Sequence, residues 1–556
     1  MKHKSIRVSR GIVDLVVWFL LLGLILITYQ DLPKTFFQQD EWASVGLAFS
    51  EGSFAVVNHF SLAELAAGKV RVLGTMLNNI LLLRFPFTMT PYITLALGVH
   101  WLNSVLVYIF SYQFTKRRFI AIIAAFYFSV ASISSGAVTW FSAHATAIPN
   151  AFFVLISLIW YMKYLQNADT RFRNASFVSA ILGFLFKESS IFLFLLLPLL
   201  SVLFGKTRRK LKEVVVDHWL VLLYFVFVVV VRTVGLLGDE GQQGVFVTLQ
   251  SNTFVRLVTH AFFYPLLSFS QMYIPPEIMG KATSLFQAQG GLARVAISDR
   301  LAFYASIALV VFSFWVAYRN KLSSRAIHFF IIYCMLSFLP FAVLDRPFSS
   351  YLESRYYYLG VIGASILLGI FFDFILSMFR KKRIQLFVIV LAIFLLTAGI
   401  YKNSMFVRRE ITRQVIAADE RKQFLGTLKE IYPDLPNNPI IYITGDSPGF
   451  YGLADLSVPF QQGMGYTLMV WYFDTGKVPK SLLSDMFLWN INDQGYRESE
   501  GRGFGYFWDL KRLTREFQTN PHLSADQVVA FQYIAGEKKL VDITSQTKEI
   551  LIKGKK

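Results

Sequence analysis

Long apolar runs separated by short basic segments form the dominant pattern of this chain. A helix needs about 20 apolar residues to cross the hydrocarbon core of a bilayer, and about eleven runs approach or reach that length. The pattern therefore predicts an α-helical polytopic membrane protein with about eleven transmembrane helices. The predicted spans are residues 12–29, 91–113, 119–135, 146–164, 174–187, 189–205, 217–235, 301–318, 326–344, 356–379 and 384–400.

Lysine and arginine are concentrated in clusters between these runs. The positive-inside rule places such clusters in the cytoplasm. The number of predicted spans between successive clusters is then even, as this placement requires. We therefore expect a cytoplasmic amino terminus and an extracytoplasmic tail after residue 400. The clusters are residues 2–10, 116–118, 163–173, 206–210, 319–325 and 380–383.

The composition agrees with a membrane location. Hydrophobic residues make up 55% of the chain, charged residues make up 16%, and the mean hydropathy is +0.49. The formal net charge of +19 does not indicate nucleic-acid binding, because the excess is spread over short loops where the orientation rule already explains it. We expect the remaining attraction to be to anionic lipid head groups in a cell membrane.

Few polar side chains that could take part in binding or catalysis lie inside the predicted spans. His100 and Asn103 stand one helical turn apart on the second span, where we expect them to form hydrogen bonds between helices. The single cysteine, Cys334, excludes a disulfide framework and a cysteine-based metal site.

The chain divides by composition into an apolar part, residues 1–400, and a more polar tail, residues 401–556. Turn signals in the tail, and the run NPIIYITG, which predicts a short strand, indicate a small extracytoplasmic α/β domain. Two outer segments interrupt the apolar part, at residues 31–90 and 236–300. The first contains an amphipathic stretch that predicts an interfacial helix, and in the second we expect residues 254–274 to be re-entrant or interfacial.

An acidic pair, Asp40-Glu41, follows the first predicted span on the expected outer side. A carboxylate in this position is suited to act as a general base that removes a proton from an acceptor hydroxyl. Asp40 with a second carboxylate could also ligate Mg²⁺ or Mn²⁺ through oxygen. The alternative is that the pair only marks the start of an interfacial helix.

Lys187-Glu188 lies at the apex between two short predicted spans, residues 174–187 and 189–205. Each arm is shorter than the hydrocarbon core, so the apex should lie at or below the outer membrane surface. Ionisable residues at such depth are candidates for function, and a lysine there could hold a phosphate group. The alternative is a lysine that pairs with its own neighbour.

Further candidate binding residues lie at the expected outer ends of other spans. Arg355, beside Glu353 at the start of the tenth span, is placed to bind phosphate with two hydrogen bonds, and Tyr356 could line a path for the sugar or the prenyl chain. Arg232 and His144 are weaker candidates. Aromatic belts, interfacial anchors and structural histidines explain the same residues without a ligand.

Five segments in this order resemble the GT-C integral-membrane glycosyltransferases, particularly protein O-mannosyltransferases and related bacterial enzymes. They are the acidic pair after the first span, then HWLNSVLVYIF, AVTWFSAHA, FLFKESSIFLFLLLPLL and ESRYYYLGVIGASILL. The resemblance covers roughly residues 10–400, which it identifies as a transmembrane catalytic domain.

This resemblance implies a polyprenyl-phosphate sugar as the donor and an acceptor that is a protein, a lipid or a glycan. It implies that Asp40 is the base with Glu41 as its neighbour. Lys187 and Arg355 match the positions of the phosphate-binding residues, with weaker matches at Arg232 and His144. Transfer would invert the anomeric centre in one displacement.

Three other functions remain open on the sequence alone. A transporter or flippase for lipid-linked sugars would place polar sites near the middle of the membrane, where this chain carries few charges. A polysaccharide polymerase would use a long outer loop rich in arginine, and residues 236–300 carry few arginines. A non-catalytic assembly scaffold would bind lipid-linked sugar without turnover.

Overall fold

The structure is a computed structural model, and it is mainly helical. It describes residues 10–38, 41–54, 71–205, 211–238, 253–284, 291–320, 324–341, 352–379, 382–446, 463–490 and 492–554. The α-helices within these residues are α1 (Arg10–Thr28), α2 (Glu41–Glu51), α3 (Val72–Arg84), α4 (Met89–Thr115), α5 (Arg118–Val130), α6 (Gly136–Thr139), α7 (Phe141–His144), α8 (Ala147–Asn167), α9 (Thr170–Phe186), α10 (Leu193–Phe204), α11 (Leu211–Asp217), α12 (Trp219–Gly238), α13 (Thr253–Gln271), α14 (Pro276–Ser284), α15 (Gly291–Arg319), α16 (Ser324–Phe338), α17 (Tyr358–Met378), α18 (Lys382–Ile431), α19 (Met464–Trp471), α20 (Lys480–Ser484), α21 (Leu510–Thr519) and α22 (Thr544–Gly554).

Seven helical segments in the described part of the chain are long and apolar enough to cross a membrane. The coarse prediction, a helical protein with several such segments and a small C-terminal sheet, is confirmed. The total of about eleven spans and their orientation stay predictions. The seven segments are Gly11–Lys34, Met89–Thr115, Phe141–Asn167, Ile297–Arg319, Ser324–Phe341, Ser354–Met378 and Gln385–Ile431.

The chain forms two compact units that differ from a simple division at residue 400. The first unit comprises Met1–Gln30, Val56–Thr75 and Tyr92–Arg409. The second comprises Asp31–Ala55, Met76–Pro91 and Glu410–Lys556. Helix α18 continues without interruption past residue 400. Its first half is apolar, and its second half is rich in charged residues.

Polar contacts join apolar helices inside the first unit. His100 Nδ1 lies 2.7 Å from the Tyr358 hydroxyl, and Asn103 Nδ2 donates a hydrogen bond to the same oxygen over 3.2 Å. These bonds connect α4 to α17, which confirms the prediction of interhelical hydrogen bonds at both residues. All three side chains are buried, so the bonds satisfy groups that would otherwise be costly in an apolar interior.

The second unit contains a five-stranded sheet in the order β2-β3-β1-β4-β5. Strand β1 runs parallel to β3 and β4, and the two outer pairs are antiparallel. The predicted strand in NPIIYITG is confirmed as β1. The strands are β1 (Ile440–Gly445), β2 (Gly495–Ser499), β3 (Arg502–Phe507), β4 (Val528–Ile534) and β5 (Lys539–Asp542).

Helices α21 and α22 cover this sheet because each buries an apolar face. Leu513 and Phe517, one turn apart on α21, join Leu551 of α22 in a core cluster with Ile440 of β1. On the other side of the same unit, the Tyr533 hydroxyl donates to Glu420 of α18 over 2.7 Å. Burial and this carboxylate raise the pKa of the Tyr533 phenol, so it stays protonated and holds α18 to β4.

Aromatic contacts join the early residues of the second unit to its C-terminal part. The Phe87 ring lies 4.9 Å from the Trp471 ring and 6.0 Å from the Trp42 ring. Phe49 stacks on Phe473 with ring centres 5.2 Å apart. The described residues around Trp42, Phe49 and Phe87 therefore belong to the packed core of the second unit.

Helices also occupy the two outer segments predicted from the sequence. Helix α13 covers most of residues 254–274, which confirms a helix there and leaves its relation to the membrane a prediction. Helix α3 lies in the second half of the amphipathic stretch, whereas residues 55–70 lie outside the described residues.

Candidate functional site

A break in the helical path fixes the backbone at Lys187. Helix α9 ends at Phe186, Lys187 is extended with φ −160° and ψ 132°, and a 3₁₀ turn follows. The Asn150 side chain donates to the carbonyl oxygens of Gly183 and Lys187 over 2.6 and 2.8 Å. These bonds hold the end of α9 and the Lys187 backbone against α8, the helix that carries Asn150. The predicted interruption between two short helices is confirmed at Lys187, and its depth in the membrane stays a prediction.

The Lys187 side chain is buried, with 4% of its surface exposed. Its ammonium lies 5.4 Å from the centre of the Tyr356 ring, a cation–π contact. Within the described part of the chain, no carboxylate lies within ion-pair distance of this ammonium. A buried cation that carries no matched anion is electrostatically costly, and it attracts an anionic ligand.

Glu188, the next residue, forms an ion pair with another cation, Arg71. Arg71 donates from Nε and Nη2 to the two Glu188 carboxylate oxygens over 2.7 and 2.6 Å. This bidentate pair fixes the side chain of Glu188 beside Lys187. Lys187 and Glu188 form no ion pair among the contacts of the described residues, although the Glu188 charge attracts the Lys187 ammonium.

Gly74 lets the first turn of α3, which follows Arg71, lie close to the helix break. A Cβ atom at this position would lie 2.8 Å from the Phe186 carbonyl oxygen and 2.9 Å from a Thr146 methyl carbon. Sequence reasoning missed Arg71, because a single arginine in an amphipathic stretch carries no motif. Its contribution becomes visible only when the fold brings it to Glu188.

Arg355 lies on a 3₁₀ turn, Ser354–Tyr357, directly before α17. Its guanidinium pairs with Glu353 over 2.6 Å and lies 4.8 Å from the Trp140 ring centre and 5.4 Å from the Tyr356 ring centre. The Tyr356 ring thus contacts both Arg355 and Lys187. Tyr356 connects the two cations that the sequence proposed for phosphate binding.

Ser354 determines where this turn lies. Its hydroxyl donates to the Ile133 carbonyl over 2.8 Å and accepts from the Gly136 N–H over 2.8 Å. A Cβ at Gly136 would lie only 2.9 Å from the Ser354 Cβ. The close approach of α6 to the Arg355 turn therefore requires glycine.

Together these residues form a charged cluster in the first unit, which we call the Lys187 cluster. It contains three cations and two carboxylates, so one positive charge is not balanced by its own members. Guanidinium and ammonium groups bind phosphate oxygens well, and aromatic rings pack against two of the cations, Lys187 and Arg355. The members are Arg71, Trp140, Lys187, Glu188, Glu353, Arg355 and Tyr356.

The acidic pair belongs to the second unit. Asp40 lies outside the described residues. Glu41 is 1% exposed, begins α2, and accepts a hydrogen bond from the Gln38 backbone N–H over 2.6 Å. The buried Arg421 of α18 is attracted to its charge. These contacts favour a structural role for Glu41 at the helix start.

The two weaker candidates are not part of the Lys187 cluster as described. His144 is 2% exposed, and its Nε2 lies 2.7 Å from the Val138 carbonyl oxygen, to which it donates a hydrogen bond. This contact ties α7 to the end of α6 and favours a structural role. Arg232 lies on α12, and its side chain falls outside the described residues.

No group of three or more histidine, cysteine, aspartate or glutamate side chains suited to hold a metal occurs among the residues that the structure describes. A magnesium or manganese ion at Asp40 stays a prediction. No known protein family matches the chain, and no protein of curated function matches its sequence. The chemistry of the Lys187 cluster is therefore what guides the assignment of a function.

Proposed function

We propose that this protein is a membrane glycosyltransferase of the GT-C type, which moves a sugar from a polyprenyl-phosphate donor to a protein, lipid or glycan acceptor. The observation that carries the proposal is the buried Lys187 ammonium, which has two arginines nearby and no carboxylate of its own within the described residues. A phosphodiester donor carries one negative charge and suits a buried cation that has no carboxylate within ion-pair distance among the described residues.

The reaction would proceed in one displacement. Asp40 accepts the proton of the acceptor hydroxyl, the hydroxyl oxygen forms a bond to the anomeric carbon, and the bond from that carbon to the phosphate oxygen breaks. The electron pair stays on the leaving polyprenyl phosphate, whose charge rises from one to two. Lys187 and Arg355 stabilise this developing charge, and such interactions lower the barrier because they strengthen in the transition state.

The proposal includes a topology of about eleven spans, with the amino terminus in the cytoplasm and the C-terminal domain outside. The even number of predicted spans between successive basic clusters supports this topology. Donor phosphate would then be bound at the outer membrane surface. Accessibility of single cysteines introduced at Lys116 and Lys429, in a Cys334→Ser background, tests the orientation: we expect only the second to react with an impermeant reagent added outside.

Release of sugar from a radiolabelled polyprenyl-phosphate hexose by the purified protein in lipid discs tests the activity. Membrane extract supplies the acceptor, and several sugars are compared. We expect release by the wild type and a loss of at least about 10²-fold in the Asp40→Asn variant. Absence of release with every sugar would reject the enzyme. Donor binding without release would instead favour a flippase, polymerase or scaffold.

A further inference from the structure

A buried side chain of helix α18, Asn403, contacts the 3₁₀ turn Ser132–Ser134. Asn403, 8% exposed, accepts two hydrogen bonds at Oδ1, from the Ser132 backbone N–H over 3.0 Å and from the Ser132 hydroxyl over 2.8 Å. Its Nδ2 donates to the Gly399 carbonyl over 3.0 Å. The amide is therefore held in one orientation, with its oxygen directed at Ser132.

The contact continues from Ser132 to the Arg355 turn. Ser132 begins the 3₁₀ turn Ser132–Ser134, whose Ile133 carbonyl accepts the Ser354 hydroxyl over 2.8 Å. The same hydroxyl accepts the Gly136 N–H. Arg355 is the next residue in the chain, so the position of its backbone depends on where Ser132–Ser134 lies.

We propose that Asn403 is a positioning residue for Arg355: by holding Ser132, it fixes the turn on which the Ser354 hydroxyl and then the Arg355 guanidinium are placed. For donor binding this inference rests on the proposed function, whereas the physical connection rests on the hydrogen bonds alone. In this proposal the contribution of Asn403 to ligand binding is indirect. It acts through Ser132, Ile133 and Ser354, which are connected by the chain and by hydrogen bonds of 2.8 to 3.0 Å.

Helix α18 provides a matched control at the next position. The Ser404 hydroxyl lies 2.8 Å from the Thr28 hydroxyl of α1, and Ser404 is as buried as Asn403. The Ser404 contact connects α18 to α1 and has no described hydrogen bond to the Ser132 turn. Loss of an α18 packing contact in general is therefore distinguishable from loss of the contact at Asn403.

The experiment compares Asn403→Ala with Ser404→Ala in lipid discs by two measurements. The first is the rate of hydrogen exchange at the backbone amides of residues 352–358, which needs no assumption about function. The second is the KM and kcat for the polyprenyl-phosphate hexose. We expect faster exchange in Asn403→Ala. We also expect a KM raised roughly three- to tenfold, with a smaller change in kcat, because this factor corresponds to the net free energy of about one hydrogen bond. Ser404→Ala should leave both near wild type.

Two further variants keep the test decisive. Asn403→Asp keeps an acceptor oxygen for the two Ser132 bonds but loses the donor to the Gly399 carbonyl, so exchange at residues 352–358 should be slower than in Asn403→Ala and faster than in the wild type. If Asn403→Ala does not fold, Ser132→Ala removes one of the two bonds from the opposite side and should give the same effects at smaller size.

The outcomes separate the two proposals. Unchanged exchange at residues 352–358 in Asn403→Ala overturns the positioning role, as does an equal response in Ser404→Ala. An unchanged KM in an active protein overturns it as well. If the wild type turns over no donor, the proposed function fails, and the exchange rates alone then decide whether Asn403 positions the turn.

Discussion

The Lys187 ammonium and the Arg355 guanidinium lie against the same ring, Tyr356, each about 5.4 Å from its centre. The two cations come from distant parts of the chain, one from a break between helices and one from the turn before α17. Each contact by itself is weak in energy. Their coincidence on one ring places two like charges near each other in a buried region, an arrangement that an anion stabilises.

Replacement of Lys187 by methionine should separate binding from stability. The change keeps an unbranched side chain of similar length and removes a buried charge that is costly without a partner. We expect an unchanged or higher midpoint of thermal unfolding and a donor KM raised about tenfold or more, because a charge-assisted hydrogen bond contributes about 1.5–3 kcal/mol. A wild-type KM would reject Lys187 as a phosphate ligand.

Exchange of charges between Arg71 and Glu188 tests their pairing. The single variant Arg71→Glu places two carboxylates opposite each other and should raise the donor KM. The double variant Arg71→Glu with Glu188→Arg should recover part of the loss, since it restores the ion pair. Both side chains are partly exposed, so the pair contributes no more than about 1 kcal/mol to stability. Equal donor KM values in the single and double variants would show that donor binding does not depend on the Arg71–Glu188 ion pair.

Gly136→Ala should displace the Arg355 turn. The new methyl group would lie 2.9 Å from the Ser354 Cβ, closer than carbon atoms pack. We expect unfolding to become easier by about 1–3 kcal/mol and the donor KM to rise. Gly98→Ala is the control, because a Cβ there has nothing within 4 Å and alanine favours a helix. If both variants unfold at the same temperature, the close approach of Gly136 to Ser354 does not contribute to stability.

The two acidic neighbours should respond differently to neutral substitution. Asp40→Asn is expected to lower kcat without lowering the unfolding temperature. Glu41→Gln is expected to lower the unfolding free energy by about 1–3 kcal/mol, because a buried carboxylate that caps Gln38 and attracts Arg421 is neutralised. Thermal unfolding and sugar release measured on the same preparations check this. A loss of kcat confined to Glu41→Gln would exchange their assigned roles.

Local features of the fold could be predicted from sequence because their causes are local. Lys187-Glu188 interrupts two apolar runs, and the helix breaks there. His100 and Asn103 are polar in an apolar helix, and they form hydrogen bonds to a neighbouring helix. The run NPIIYITG, in which β-branched residues predominate, forms β1.

Features that depend on distant contacts could not be predicted in the same way. Arg71 meets Glu188 only after folding, and Asn403 meets Ser132 only when α18 packs in the first unit. The continuation of α18 beyond residue 400 was missed for another reason. Apolar runs report the part of a helix that lipid surrounds, and they carry no information about a helix that continues after its residues become polar.

The buried ammonium of Lys187 has a consequence for linkage between ligand binding and folding. A bound anion would remove the electrostatic cost that this charge adds to the folded state, and any ligand that binds only the folded protein stabilises it in proportion to the logarithm of its concentration. The midpoint of unfolding would then rise with each added lipid phosphate that fits. Heat stability thereby becomes a way to identify the natural donor lipid before either the sugar or the acceptor is known.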